Sequence, residues 1–515
     1  MIKKLAFTIV TILITSISFA QTCLPSGITL NSQTQINNFA TNYPGCTNIG
    51  GSVTISNASN LSGLSQITSI SGNLTIQYNS SLTNLSGLNN LTTIGGSLSI
   101  IYNGAIINLN GLNNLTSIGN NALIENNNVL NNINGLGNLT NIGNDLLIRY
   151  NNMLTSISGL MNIHTIHNDL IILGNPMLLS LTGLNNLSSI NRDFSIVSNN
   201  SLTNLQGLNS LTSTGNYFGI ESNTALSSLS GLENLTNVFR LYIFNCDSLT
   251  NLNGLNNLTT ANEDFHLFGN DNLLTLNGLE NLTIINGKAR IGSCDSLTNL
   301  TGLNSLTSIG SSFEVTSNYN MINLQGVNNL TFVGNTLYIS QCYNLQNLIG
   351  LESLNNLNHT SLTISYCDNL TSLNGIQNIN YTTISYLNIN LNNLLSMCAV
   401  QSVCNYLANN TSNTNLQIND PGCDSRAQVL AMCASLSIDE DYNLSSFILY
   451  PNPTVEKVNI NVQSDCKINI YNSIGQHLKE INLLNGLNEI NLNFLSSGIY
   501  FFKTETGNTI KVVKQ

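Results

Sequence analysis

Residues Leu85–Ile106 read LSGLNNLTTIGGSLSIIYNGAI. Counting from Gly87, the same glycine recurs at Gly63, Gly111, Gly135, Gly159, Gly183, Gly207, Gly231, Gly254, Gly278, Gly302, Gly326, Gly350 and Gly375. The step is 24 residues, with one of 23 and one of 25. A fixed period of this length marks a solenoid, in which each unit buries its apolar face only against its neighbours. Within the unit the apolar positions are Leu85, Leu88, Leu91, Ile94, Leu98, Ile100 and Ile106. Only Leu98 and Ile100 alternate as a strand does. No stretch offers the i, i+3, i+4, i+7 stripe of a packed helix, so each coil is expected to supply one firm strand and otherwise turns.

Stacking such coils places Leu74, Leu98, Ala122, Leu146, Leu170 and Phe194 in one inward column and Ile76, Ile100, Ile124, Ile148, Ile172 and Ile196 in the next. At about 4.8 Å per strand, fourteen coils make a parallel sheet roughly 65 Å long. Sixteen residues after most of the glycines stands an asparagine (Asn79, Asn103, Asn127, Asn151, Asn175, Asn199, Asn223, Asn270, Asn318), replaced by Cys246, Cys294, Cys342 and Cys367 in later coils. A buried amide there can serve backbone groups that the sheet leaves unpaired, each worth about 1–3 kcal/mol if orphaned.

The pattern LxIxxN followed by LxxLxGLxxL, with Asn giving way to Cys, resembles a leucine-rich repeat. The lack of a helical convex side makes it most similar to the receptor L domain branch. The resemblance covers about residues 24–435 and implies an all-β, right-handed parallel β-solenoid with capped ends, of a kind known from ligand-binding receptor ectodomains. It is silent on the ligand.

Lys3 and Lys4, the apolar run Leu5–Ile17 and Ser18-Phe19-Ala20 read as a secretory signal peptide over residues 1–20. No other apolar run is long enough to span a bilayer. Without Lys3 and Lys4 the chain keeps 12 basic against 25 acidic residues, a net charge of −13. That balance argues against a nucleic-acid partner, which needs clustered Lys and Arg. Residues 21–58, where the repeat fails, are expected to cap the solenoid at 59–394, stapled by Cys23 to Cys46. Residues 395–436 carry Cys398, Cys404, Cys423 and Cys433 in two helix-like stretches. Four cysteines allow three pairings, of which we take 398 with 423 and 404 with 433. Cys246 and Cys294 lie two coils apart, too far for a disulfide; Cys342 and Cys367, on adjacent coils, could reach but their side chains should run parallel, and all four are expected to be free buried thiols.

After a linker at 437–446 the period is gone. Residues 447–515 alternate apolar and polar in short runs (VNINV, KINIY, LNEINLNF, GIYFFKT, IKVVK), with turns at Asn472–Gly475, Asn485-Gly486 and Gly507-Asn508. That pattern gives a small antiparallel β-sandwich. The stretches YPNP with Pro451, Asn452 and Pro453, IYNSIGQ, LSSGIYFFK with Gly498 and Tyr500, and KVVK resemble the type A sorting domain of the type IX secretion system. The resemblance implies as partners the secretion machinery and its sortase, and a destination outside the outer membrane, at the cell surface or released.

The chain has no GxSxG, HExxH, phosphate-binding GxxxxGK[ST] or dinucleotide fingerprint, so we expect no enzyme and no cofactor. His164, His167 and Asp169 in HTIHND have a ligand-like spacing, but a repeat loop accepts such residues without purpose. Asp145, Asp169 and Asp193 fall at one position of successive coils. They are read as a solvated edge, with a calcium site as the alternative.

Function is sought where coils differ. The two outward strand positions vary freely, and Tyr242, Phe244, His266, Phe268 and Arg290 gather on three consecutive strands, with Arg149 and Tyr338 on the same face. Such a patch suits contact with an extracellular protein or glycan. The expectation is a surface binding or adhesion protein. The alternative is a structural surface-layer spacer with no specific ligand.

Overall fold

The computed structural model describes residues 22–410, 412–436, 448–462, 465–504 and 509–515. The signal peptide, the linker at 437–446 and the turn at Gly507-Asn508 lie outside the described residues. The chain divides into two compact units, with the boundary between Cys433 and Ala434.

The first unit is a parallel β-solenoid. Its long sheet has 17 strands. Fourteen follow the repeat glycines. The other three, Ile28–Leu30, Val53–Ile55 and Thr414–Asn419, come from the two caps, which thus continue the ladder. Register advances by one repeat per strand, pairing Leu98 with Ala122, Ala122 with Leu146 and Leu146 with Leu170. Each strand alternates inward and outward: Leu98 and Ile100 are fully buried, while Ser99 and Ile101 are half-buried. A second strand of only two residues, such as Thr93–Ile94 paired with Ser117–Ile118, recurs in most coils and forms a five- and an eight-stranded sheet. The expectation of one strand per coil is corrected here. Two residues are too few to leave an alternation that can be read.

The asparagines act as rungs. Asn103 donates its Nδ2 to Ile76 O (2.9 Å) and Ile101 O (3.1 Å), while its Oδ1 accepts the backbone N–H of Asn79 (3.2 Å). In the cysteine coils the Cys294 N–H still finds Asn318 Oδ1 (3.1 Å), and its Sγ lies 3.3 Å from Gly292 O.

Both ends are closed. Two short helices, Gln33–Asn37 and Phe39–Asn42, bury Ile36 and Phe39 over the first coil, beside a Cys23–Cys46 disulfide with Cα atoms 5.6 Å apart. At the other end the helices Gln401–Asn409 and Arg426–Leu436 flank the last strand, with Cys398 bonded to Cys423 and Cys404 to Cys433. Tyr406, fully buried, donates its hydroxyl to Asn413 O (2.8 Å).

These contacts rank the cysteines. Cys46→Ser opens a staple that spans 23 residues of sequence and should cost about 3 kcal/mol. Cys294→Asn should be near neutral at pH 7, since it restores the rung found in most coils. The gap widens in alkali. Burial pushes the Cys294 thiol up to about 12, above its unfolded value of roughly 8.5. Its contribution is therefore complete below that value and is lost as pH rises toward the folded one. Above about pH 9 the Asn variant should be more stable than the unaltered chain. Urea melts of the unaltered chain and both variants at pH 7 and pH 10 check this; a Cys294→Asn loss larger than that of Cys46→Ser at pH 7 would overturn it.

The second unit contains two antiparallel sheets. One joins Ile448–Tyr450, Lys457–Val462 and Gly486–Asn491; the other joins Cys466–Asn472, His477–Leu483, Gly498–Thr504 and Thr509–Lys514. Asn472–Gly475 turns a hairpin, whereas Asn485-Gly486 carries the chain from one sheet to the other. Val458, Ile460, Ile468, Ile470, Phe502 and Val512 form the core. The conspicuous motif residues bind the strands together. Asn452 donates its Nδ2 to Lys511 O (2.6 Å) and accepts the N–H of Val513 (2.9 Å), and Tyr500 donates its hydroxyl to Ser496 O (2.9 Å).

Candidate functional site

The outward side of the long sheet carries side chains in columns set by the register. Tyr242, His266, Arg290, Glu314 and Tyr338 form one column; Phe244, Phe268, Gly292, Thr316 and Ser340 form the next. Alternation along each strand puts Leu241 and Ile243 inside and leaves Tyr242 and Phe244 half-buried on the face.

The five residues singled out from sequence touch one another. The Tyr242 ring stacks on His266 at 4.4 Å and on Phe244 at 5.5 Å, Phe244 meets Phe268 edge-on at 6.4 Å, and the Arg290 guanidinium lies 4.5 Å over the Phe268 ring. Such contacts contribute about 0.5–1.5 kcal/mol each beyond their buried area, so the patch is a preorganised surface. Burial pulls the His266 imidazole below its usual value, against the raising influence of Asp264 and Glu314 and with the help of Lys288 and Arg290. The ring is neutral at pH 7 and stacks without a charge. Burial, and then Asp264, push the Tyr242 hydroxyl up to about 12, so it stays a donor, to Asp264 Oδ2 at 3.1 Å.

Tyr338 continues the first column two strands beyond Arg290. Arg149 does not join the patch. It is bound to Glu125 at 2.7 Å and lies four strands from Phe244, about 19 Å by strand spacing.

A third column borders the face, and the sequence pattern flags only its first members. Asp145, Asp169 and Asp193 are followed in register by Tyr217 and Arg240, then Asp264 and Lys288. Tyr217 packs edge-on against Tyr242 at 5.1 Å and bonds Glu221. Carrying the 24-residue step on from Asp193 would have found it. The three aspartates are not a free solvated edge. Asp145 Oδ1 accepts the N–H of Asp169 (3.3 Å), Asp169 Oδ1 accepts that of Asp193 (3.2 Å), and Arg192 reaches both Asp169 and Asp193. Among the described residues no group of three or more His, Cys, Asp or Glu side chains is placed to hold a metal ion, so the calcium alternative has no cluster to occupy. His164 and His167 turn their Nδ1 atoms to the carbonyls of Asn162 (3.0 Å) and Ile142 (3.2 Å).

In comparison with known families, residues 45–128 match the Receptor L domain and residues 448–515 match the Secretion system C-terminal sorting domain. No curated protein matches the chain. Both matched families are non-catalytic kinds of domain. A sorting domain of this type directs the chain through type IX secretion, across the outer membrane to the cell surface. No helix of the described residues is long and apolar enough to cross a membrane.

Proposed function

We propose that this exported chain is a non-enzymatic surface binding or adhesion protein that presents the outward face of its solenoid to an extracellular protein or glycan. The observation that carries this reading is the contrast between columns. Inward positions repeat Leu and Ile coil after coil, whereas the outward positions change and gather Tyr217, Tyr242, Phe244, His266 and Phe268 into one continuous half-exposed aromatic cluster. A spacer needs no such cluster. The sorting domain supplies delivery, and its sortase the attachment or release.

The double variant Phe244→Ala/Phe268→Ala tests it. Aromatic residues at the centre of an interface typically cost about 2 kcal/mol or more when truncated, about a thirtyfold loss in affinity. Melting should fall only by what the lost ring contacts contribute, since both side chains point away from the core. Binding of the purified solenoid to a glycan and protein array, and adhesion of cells displaying it, are the readouts. Unchanged adhesion would return the chain to the spacer reading. An early melt would mean that the patch is covered core.

A further inference from the structure

The caps close the apolar core at each end of the solenoid, but the long sheet itself stops at two bare edges. At the N-terminal end the edge strand is Ile28–Leu30, three residues long. At the other end it is Thr414–Asn419, six residues paired only with Ile384–Asn392. Parallel pairing turns alternate residues to opposite neighbours. The Leu387 N–H donates to Asn413 O (3.1 Å), so Asn413, Asn415 and Gln417 face the sheet, while Thr414 and Leu416 turn their N–H and C=O groups outward. Leu98 does the same toward its next coil, where it donates to Asn121 O (2.9 Å). Beyond Thr414 and Leu416 no coil follows, and among the described residues their outward groups meet no hydrogen-bond partner. The cap helices seal the core beneath through Tyr406 and Val429. We propose that this edge is a self-association site, at which the same strand of a second copy of the chain adds antiparallel to it.

Three observations select a second copy as the occupant. A free edge invites other chains, and proteins normally blunt it with charge, proline or a bulge. The second unit does so: its edge strands His477–Leu483, Gly486–Asn491 and Thr509–Lys514 carry Lys479 and Glu480, Glu489, and Lys511 and Lys514, and Ile448–Tyr450 runs into Pro451. Thr414–Asn419 reads TNLQIN, with neither charge nor proline. The second observation is electrostatic. With a formal net charge of −11 two copies repel one another, and an uncharged strand is where they can still meet; the antiparallel direction sends Asp420 and Asp424 of the two copies to opposite ends. The third is self-complementarity. A two-fold axis through Asn415 pairs Thr414 of each copy with Leu416 of the other, each pair exchanging both of its backbone hydrogen bonds. Ile418, left-handed at φ 56° and 54% exposed, ends the strand just beyond them. Such an axis stands perpendicular to the sheet, so both outward faces lie on one side of a continuous sheet and the aromatic cluster is presented twice, a bivalent arrangement whatever that face binds.

Sedimentation equilibrium of the full chain, with hydrogen exchange read at the Thr414 and Leu416 amides, tests this. The chain should pass from monomer to dimer on the order of 10 µM, as suits a contact below the standard interface size, and both amides should exchange more slowly as the dimer forms. Asn415→Lys and Asn415→Asp each set like charges across the axis and should weaken association about tenfold or more; an equal mixture of the two should recover it. Thr414→Pro keeps the bond from Asn415 Nδ2 to Asn388 Oδ1 (2.8 Å) and removes an outward donor that the sheet does not use. It should weaken association to a similar degree while the melting temperature of the monomer stays unchanged. Thr29→Lys, at the other end of the sheet, should alter nothing. A chain that stays monomeric, a dimer that none of the Asn415 and Thr414 variants disturbs, or a mixture that fails to recover association would each overturn the proposal. So would slow exchange of the two amides in the monomer, since another segment of the chain would then already lie on the edge.

Discussion

Removing residues 447–515 is expected to abolish surface display completely while leaving a folded solenoid in the periplasm. The two units have separate apolar cores: one runs from Leu30 through Val429, the other gathers Val458, Ile468, Phe502 and their neighbours. The three disulfides of the described residues lie in the first unit, and its apolar cluster includes no residue of the second, so truncation removes none of the side chains that build its core. Export depends on a match confined to residues 448–515. The truncated chain should therefore melt like the solenoid of the full protein and be absent from the outer surface by immunolabelling. A milder version, Asn452→Ala, removes both hydrogen bonds that tie the PNP segment to the last strand, and should reduce display in proportion to the destabilised sorting unit. If the truncated protein reached the cell exterior, the role given to this domain would be wrong.

Much of this organisation is legible in the sequence because a repeat records the same physical demand many times. Leu98 alone says little; Leu74, Leu98, Leu146 and Leu170 at one step fix both register and inward face, and the pairing of Leu146 with Leu170 follows. Differences against that constant background expose Tyr242, Phe244, His266 and Phe268. Features that a single coil expresses weakly leave no such trace. The two-residue strands such as Thr93–Ile94 are too short to alternate. The left-handed residue that turns each coil inward before its asparagine is Tyr102 or Tyr150 as readily as Asn126, at φ 55 to 56°, and an aromatic residue gives no signal of such a backbone. A hollow beside Phe268 depends on Gly292, Thr316 and Ser340 being small, and an absence of bulk is silent until the neighbouring columns are in place. Arg149 shares a column with Phe244 and Phe268, and only distance along the solenoid separates it from them.

The repeat glycine itself carries the largest expected effect on stability. At Gly111 the backbone has φ +116°, and a Cβ would stand 2.0 Å from the carbonyl oxygen of Leu85 on the preceding coil. Gly135 separates the two causes. Its φ is not in the left-handed range, yet a Cβ there would still come within 2.0 Å of Leu109 O. The close approach of successive coils is therefore the demand common to all the repeats, and the unusual backbone is an addition in most of them. Gly111→Ala meets both and should cost about 3 kcal/mol or more; Gly135→Ala meets only the first and should cost somewhat less. A methyl group on Gly104 would meet nothing within 4 Å, so Gly104→Ala should be neutral or slightly stabilising. Because coils hold only their neighbours, the loss should appear as faster hydrogen exchange in the strands Leu98–Ile101 and Ala122–Glu125 before the far end responds. A Gly111→Ala protein as stable as Gly104→Ala would show that the coils can part at this point, and the glycine spacing would then need another cause.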